Sequence, residues 1–481
     1  MKNWKRITPM WKLVTPMWKL VLPMLLGFSS LALAQEAAPW AADTGDTAWL
    51  LVSTALVMLM TPGLAFFYGG LVRSKNSLNT MMMSYIALGV VTILWVTIGF
   101  SLAFTHDKDP NFIPGILGSF QYAFMNGIDG LSAYPTAPTI PNSLFMIFQM
   151  MFAIITPALI SGAIIERMKF KTYLVFIALW LLVVYVPVCH AVWSPDGFLF
   201  KWGALDFAGG TVVHITAGVS ALVAAMILGP RRGFGRVAMA PHNVPFVLLG
   251  AGLLWFGWFG FNGGSAVAAG GSLATNAFMV THIAAATAMV IWSILEIVKT
   301  GHVSAVGAAT GAVVGLVAIT PAAGFVGPMA SIAIGAIAAA VSFGAIQIKN
   351  RLNLDDSLDV FACHGIGGIT GALLTGVFAQ KSINSLGSGL LEGNGEQMLK
   401  QLGGVGFAVV VAAVGTAVLM YALKAVMGLR PDSRDEEQGL DLADHGESGY
   451  HGGEYGVTLG TGSIGSSVTL SVPVSKAVAG D

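Results

Sequence analysis

Eleven apolar stretches of membrane-spanning length follow one another along this chain, near residues 48–70, 80–105, 142–165, 171–191, 206–228, 244–262, 274–298, 303–321, 325–347, 358–379 and 402–427. Hydrocarbon offers the backbone no hydrogen-bonding partners, so stretches of about 20 apolar residues must cross it as helices. Composition agrees: 55% of the residues are hydrophobic and 10% charged, against roughly a quarter charged in a soluble domain. The expected fold is therefore an all-α polytopic membrane protein of eleven transmembrane helices. Sixty glycines suit helices that pack closely through small residues. A net charge of zero gives no reason to expect nucleic acid.

The first 34 residues read as a processing segment. They have a basic start, an apolar run near Val21 to Leu33, and Ala32-Leu33-Ala34 before Gln35, the pattern of a cleaved signal peptide. Retention as an anchor is the alternative. The tandem copies of TPMWKLV at 8–14 and 15–21 look like a local duplication. The membrane-spanning domain is then 35–428, and residues 429–481 form a tail, acidic and polar at first, then rich in Gly, Ser and Val.

Basic residues set the orientation. With Gln35 outside, the inner loops hold eleven of them: Arg73, Lys75, Arg167, Lys169, Lys171, Arg231, Arg232, Arg236, Lys299, Lys349 and Arg351. The outer loops hold four: Lys108, Lys201, Lys381 and Lys400. Positive residues favour the cytoplasmic side, so the N-terminus is expected outside and the C-terminus in the cytoplasm.

Ionisable residues inside such spans are costly and mark pathways or proton sites. The fifth stretch, GALDFAGGTVVHITAG, carries Asp206 and His214, and the tenth, SLDVFACHGIGGITG, carries Asp359 and His364. Five spans separate them, an odd number, so the second copy runs upside down relative to the first. This predicts a five-plus-five inverted repeat with one further C-terminal helix, and such repeats place their sites near the midplane. At about 1.5 Å per residue, His214 lies roughly 12 Å from Asp206, and His364 roughly 7–8 Å from Asp359. The two rings approach the bilayer centre from opposite sides. Taken singly, each histidine reads equally well as a buried ring satisfied by a neighbour. Each aspartate reads first as a cap for free N–H groups at a helix start, and only second as a proton-linked group.

Other chemistries fit less well. Two histidines without nearby Cys or carboxylate partners make a poor metal set. Cys189 and Cys363 form no metal-type spacing or Cys-x-x-Cys pair, and read as free buried thiols. No span carries an interior lysine for a Schiff base, and no nucleophile motif accompanies the histidines, so neither a pigment nor an enzyme is expected, and no cofactor.

Three stretches converge on the outer side: VPVCHAVWSPDG with Trp193, LLWFGWFGFNGGSA with Phe261 and Ser265, and PNSLFMIFQMMF with Phe148. Interfacial aromatics often belong to a lipid-facing belt. Beside a hydroxyl they also suit a small cation, held by cation–π attraction and a hydrogen bond.

GALDFAGGTVVH, GWFGFN, PHNVP, TPGLAFFYGGLVRSKN, GAIIERMKF and HGIGGITG together strongly resemble the ammonium transporter family (Amt/Mep/Rh), on its bacterial Amt side. The resemblance runs from about Trp49 to Tyr450 and includes the tail motif GLDLADHGESGY. It implies an outer substrate-binding site at Trp193, Ser265 and Phe148 that recruits ammonium. It implies a gate of stacked phenylalanines at Phe148 and Phe261, and twin pore histidines at His214 and His364. Asp206 matches the family's buried aspartate. It further implies a homotrimer with one pore per subunit in the bacterial inner membrane, nitrogen uptake, and a tail that supports cytoplasmic PII-type signal proteins. Conduction of ammonia with linked proton transfer is the expected mechanism. An ammonium sensor signalling through its tail is the alternative, while a sodium-coupled carrier fits the twin histidines poorly. The rim after Trp193, Cys363 beside the second histidine, and the tail beyond Tyr450 depart from the family pattern.

Overall fold

The computed structural model describes residues 40–106 and 110–450; the expected signal peptide and the end of the tail lie outside them. The described chain is helical, with no strand among these residues and two isolated bridges in the segment between the second and third helices. Eleven helices follow in order: α1 Thr44–Leu71, α2 Ser74–Phe104, α3 Asn142–Ile164, α4 Phe170–Trp202 (broken at 194–197, before a last short helix Phe198–Trp202), α5 Gly210–Leu228, α6 Val244–Gly263, α7 Leu273–Thr300, α8 Ala305–Ile319, α9 Pro328–Arg351, α10 Phe361–Phe378 and α11 Glu396–Val426. All but α8 are long and apolar enough to span a membrane. α8 is the short one and lies almost wholly inside the protein. Several helices start earlier or end later than hydropathy alone indicates, because their polar end turns are helical too.

Local chemistry fixes the starts. Asp43 caps α1 by accepting from Asp46 N, and Asn243 caps α6 by accepting from Phe246 N. Ser304 does the same for α8 through Gly307 N. Such caps satisfy donors that the first turn cannot pair. Pro245 and Pro328 stand in the first turns of α6 and α9, where a missing N–H costs nothing.

Packing repeats with a shift of five. α1 meets α2 and α3 as α6 meets α7 and α8; α2 meets α3 and α4 as α7 meets α8 and α9; α3 meets α5 as α8 meets α10. The two halves join where α1 meets α6 and α5 meets α10, and α11 packs outside on α5 and α10. An odd shift inverts one half relative to the other, as in an inverted repeat.

The α5–α10 crossing is very close. A Cβ on Gly218 would lie 2.1 Å from Gly365 N and 2.4 Å from its Cα. Only glycine permits this approach, and it draws the two histidine-bearing turns together. Both turns are π-helical, at Gly210–Ile215 and Phe361–Ile366, a local widening that recurs at functional sites.

The tail is not a free strand up to Tyr450. Two short helices, α12 (Ser433–Gln438) and α13 (Leu440–His445), pack on the end where α2 begins. Asp441 accepts from Leu78 N at 3.1 Å and Asn79 N at 2.7 Å, so a tail carboxylate satisfies the first turn of a distant helix. Gly439, at φ 116°, sits where a Cβ would meet Lys75 O at 2.5 Å.

Candidate functional site

Three cavities succeed one another between the two halves. The first, of about 380 Å3, opens where α4 ends, and Phe148, Phe152, Trp193, Asp206 and Ser265 are among its walls. The second is a waist of only about 10 Å3, lined by His214, His364, Trp258, Phe261 and aliphatic side chains such as Leu64 and Val313. Room on that scale fits about one water-sized molecule. The third, of about 200 Å3, shares Phe67, Tyr68, Val313 and His364 with the waist and opens past Asp359 and Cys363.

In the first cavity, the Trp193 indole donates to Asp206 O at 3.0 Å, which fixes the ring against the start of α5. Ser265 Oγ donates to Phe261 O at 2.7 Å. The hydroxyl proton is thereby committed, and its lone pairs remain to accept. At the floor, the Phe152 ring lies 4.3 Å from Phe261 at 42°, and 5.8 Å from Trp193 edge-on.

In the waist, His214 Nδ1 and His364 Nδ1 stand 3.2 Å apart. His214 also stacks on Trp258 at 5.4 Å and 22°. One proton between two Nδ1 atoms requires opposite neutral tautomers. One ring then presents a bare Nε2 and the other an Nε2–H. Nε2 of His214 is buried with no hydrogen-bond partner, an acceptor or donor left unused at the waist.

A profile of the Ammonium Transporter Family matches residues 48–450. The chain belongs to the ammonium transporter family. Among curated relatives, it is 49% identical over 427 residues to an ammonium transporter of Aquifex aeolicus, covering 88% of this chain and 97% of that one. Among solved structures it is similar to Saccharomyces cerevisiae Mep2 (TM-score 0.76, 35% identity, 82% of this chain and 89% of that one). It is also similar to a structure titled Sensor Amt Protein (TM-score 0.75, 30% identity, 83% and 98%).

Two expectations for this family member need correction. The ring against Phe261 is Phe152, not Phe148. Phe148 lies edge-on to Phe152 at 5.0 Å, one turn nearer the opening, because residues four apart share a helix face. The second correction concerns the start of α10. Its free N–H groups go to Asp356, which accepts from Val360 N at 3.1 Å and Phe361 N at 2.7 Å. Asp359 instead has left-handed backbone (φ 59°) and pairs with Lys349 at 2.5 Å. Asp206 does cap α5: its carboxylate accepts from Gly209, Thr211 and Val212 N at 3.0, 3.0 and 3.1 Å.

Both missed residues left a trace in the sequence. Phe152 follows Phe148 at helical spacing in FMIFQMMF, and Asp356 is the second acid of LDDSLD. The acid nearest the apolar run, Asp359, is not the cap, because its own backbone is left-handed and Asp356 takes the free N–H groups. Among the described residues no three His, Cys, Asp or Glu side chains converge as a metal set, and both cysteines are free and buried.

Around the third cavity's end runs a buried acid–base lattice. Glu166 bonds Arg73 and Arg231, each at 3.0 Å, and Asp355 bonds Arg231 at 2.8 Å. Arg430 and the backbone of Arg232 bond Glu436, which joins the tail to this lattice. Burial pushes the Glu166 carboxyl up, but the Arg73 hydrogen bonds and the Arg231 charge outweigh it, leaving it below the usual range. Asp356 goes the other way, to about 6, through burial and the neighbouring Asp359.

Proposed function

We propose that the protein recruits ammonium in the Trp193 cavity, takes a proton from it, and passes neutral ammonia through the histidine waist with linked proton transfer. One observation carries the reading: a hydrogen-bonded histidine pair at 3.2 Å stands in an otherwise apolar waist of about 10 Å3. Moving an ion of ammonium size from water into such a medium costs on the order of 20 kcal/mol in the idealised limit, whereas a small neutral molecule avoids that penalty. Potassium has no proton to lose and is refused.

The recruitment step rests on Trp193, Phe148, Phe152 and Ser265. Aromatic faces attract any small cation, while the free lone pairs of Ser265 favour one with directional N–H donors. Phe152 and Phe261 separate this cavity from the waist. Past them, ammonia meets a bare Nε2 and an Nε2–H in turn. The shared proton between the rings disfavours double protonation, because two adjacent buried cations repel. Asp206, with its carboxylate occupied by three N–H groups, serves the shape of the cavity by holding Trp193.

The wider assignment is a homotrimer in a bacterial inner membrane, with the Trp193 mouth outside and the tail in the cytoplasm. The basic residues Arg73, Arg167 and Arg231 at the tail's end support that orientation. The docked segment 429–450 would meet a PII-type protein at that face.

The test is the transient current of purified protein in proteoliposomes after an ammonium jump, with potassium as control. The expected result is a current for ammonium alone. Equal ammonium-evoked currents in vesicles with and without protein would overturn the charge-transfer step. A sensor with little flux is the second reading, favoured by the similarity to the Sensor Amt Protein and by the ordered tail. Deleting residues after Gly428 separates the two, since a transporter keeps its flux and a sensor loses its output.

A further inference from the structure

Between α2 and α3 the described chain runs through residues 110–141, and Asp129 alone among them is charged. This segment does not stand away from the helices. Gly118 N donates to Leu102 O at 2.8 Å, and Ser101 Oγ donates to Ser119 O and accepts from Tyr122 N, both at 2.8 Å. Tyr134 donates to Phe104 O at 3.0 Å. The segment therefore folds back beside the last turns of α2. Its inner side is buried through Tyr134, Ala137 and Ile140.

Its other side is apolar and open. Phe112, Phe120, Phe124 and Leu131 are exposed by 53, 54, 74 and 81%. Phe124 and Met125 both adopt left-handed backbone, φ 55° and 66°, a conformation that costs bulky residues free energy. Beside this face, Phe198 N donates to Gly115 O at 3.0 Å, and Phe198 packs edge-on against Phe407 of α11 at 5.0 Å. The short helix Phe198–Trp202 adds the half-exposed rings of Phe198, Phe200 and Trp202. From there the open surface continues down α11 as Val410, Val414 and Val418, one stripe at helical spacing.

Length fixes the depth. α2 and α11 each have 31 residues, about 46 Å of helix, against a hydrocarbon core of about 30 Å. Roughly 8 Å remains at each end, the thickness of the headgroup layer. An upright, centred helix of this length puts the turns at Leu102 to Phe104, and the aromatic face beside them, in that layer.

We propose that residues 110–131, with the helix Phe198–Trp202, form an aromatic platform seated in the headgroup–acyl boundary of the phospholipid leaflet at the Trp193 mouth. The platform sets the level of that mouth, since Phe200 also lines the first cavity. The platform carries only Asp129 and Lys201 as charged residues, and this low charge and continuity with the open stripe of α11 favour lipid as the occupant over a second copy of this chain. Aromatic side chains concentrate at this depth.

The test places a nitrobenzoxadiazole label at Phe124→Cys in the full chain, in vesicles of phosphatidylcholine and phosphatidylglycerol; Cys189 and Cys363 are buried. Glu447→Cys, on the exposed tail, is the aqueous control. The expected result is blue-shifted emission, quenching by nitroxide lipids, and at least twofold weaker quenching by iodide than at the control. Water-like emission with equal iodide quenching would overturn the proposal. So would iodide shielding that nitroxide lipids do not match and that persists in detergent, because a second copy would then cover the face. Phe120→Cys reports the same contact if Phe124→Cys folds poorly.

Discussion

Gly218→Ala tests the histidine pair without touching either ring. The added methyl would meet Gly365 N at 2.1 Å, so α5 and α10 must part by about 1.3 Å to restore ordinary contact. Backbone stands in the way, and no flexible side chain can yield. The Nδ1–Nδ1 distance is 3.2 Å, and a hydrogen bond is gone by about 3.6 Å. Even a third of the required opening breaks it. Overpacking of this kind costs about 1–3 kcal/mol, within reach of a folded protein. Gly365→Ala is the contrast, because its methyl would face the Phe361 ring at 2.7 Å and Gly218 C only at 3.4 Å. Gly218→Ala should remain monodisperse on size exclusion, yet lose about tenfold of the ammonium-evoked current or admit potassium. Gly365→Ala should lose less. A well-folded Gly218→Ala protein with unchanged current and selectivity would refute the claim that the coupled rings govern passage.

Phe152→Ala should raise the potassium current or the background conductance in the same vesicles, because it removes the ring at 4.3 Å from Phe261. Phe148→Ala, one turn nearer the opening, should instead weaken apparent ammonium affinity a few-fold, and the reverse pattern would restore Phe148 as the gate. Glu166 predicts an acid limb in stability. Its folded-state pKa is depressed, so its contribution is fully present above the unfolded carboxylate range near 4.3 and is lost as pH falls through the folded value. Asp356, raised to about 6, acts oppositely: its carboxyl takes up a proton on folding between about 4 and 6, and stability declines as pH rises through that window. Glu166→Gln should lower thermal stability at pH 7 by about 3–5 kcal/mol and shallow the loss as pH falls below about 4.3. A melting curve as steep in acid as the parent's would count against the assignment.

Hydropathy made the helices legible because each must satisfy its backbone internally. The inverted repeat was legible because an aspartate and a histidine recur after an odd number of spans. Individual neighbours were less so. Phe148 and Phe152 carry the same sign in sequence, one turn apart, and only the folded packing, which sets Phe152 4.3 Å from Phe261, decides which ring meets it. Asp356 and Asp359 differ by three residues, and the left-handed turn at Asp359 leaves no mark in a hydropathy pattern. The tail's docking was open from composition alone. Its partners are backbone N–H groups at Leu78 and Asn79, which no charge pattern advertises.

The tail contacts bear on the pore through the lattice between them. Glu436 holds Arg430 and the Arg232 backbone; the adjacent Arg231 bridges Glu166 and Asp355; and Asp355 precedes Asp356, the cap of α10. His364 lies one turn past Phe361, whose N–H Asp356 accepts. Glu166, Arg231, Asp355, Asp356 and Glu436 are buried, and a buried charge deprived of its partner costs more than the pair contributes. A change that pulled Glu436 away would be felt first at Arg231 and then at the turn that sets His364 opposite His214. The 3.2 Å contact leaves only a few tenths of an ångström before the shared proton is lost, so a small rotation of that turn suffices to alter the waist.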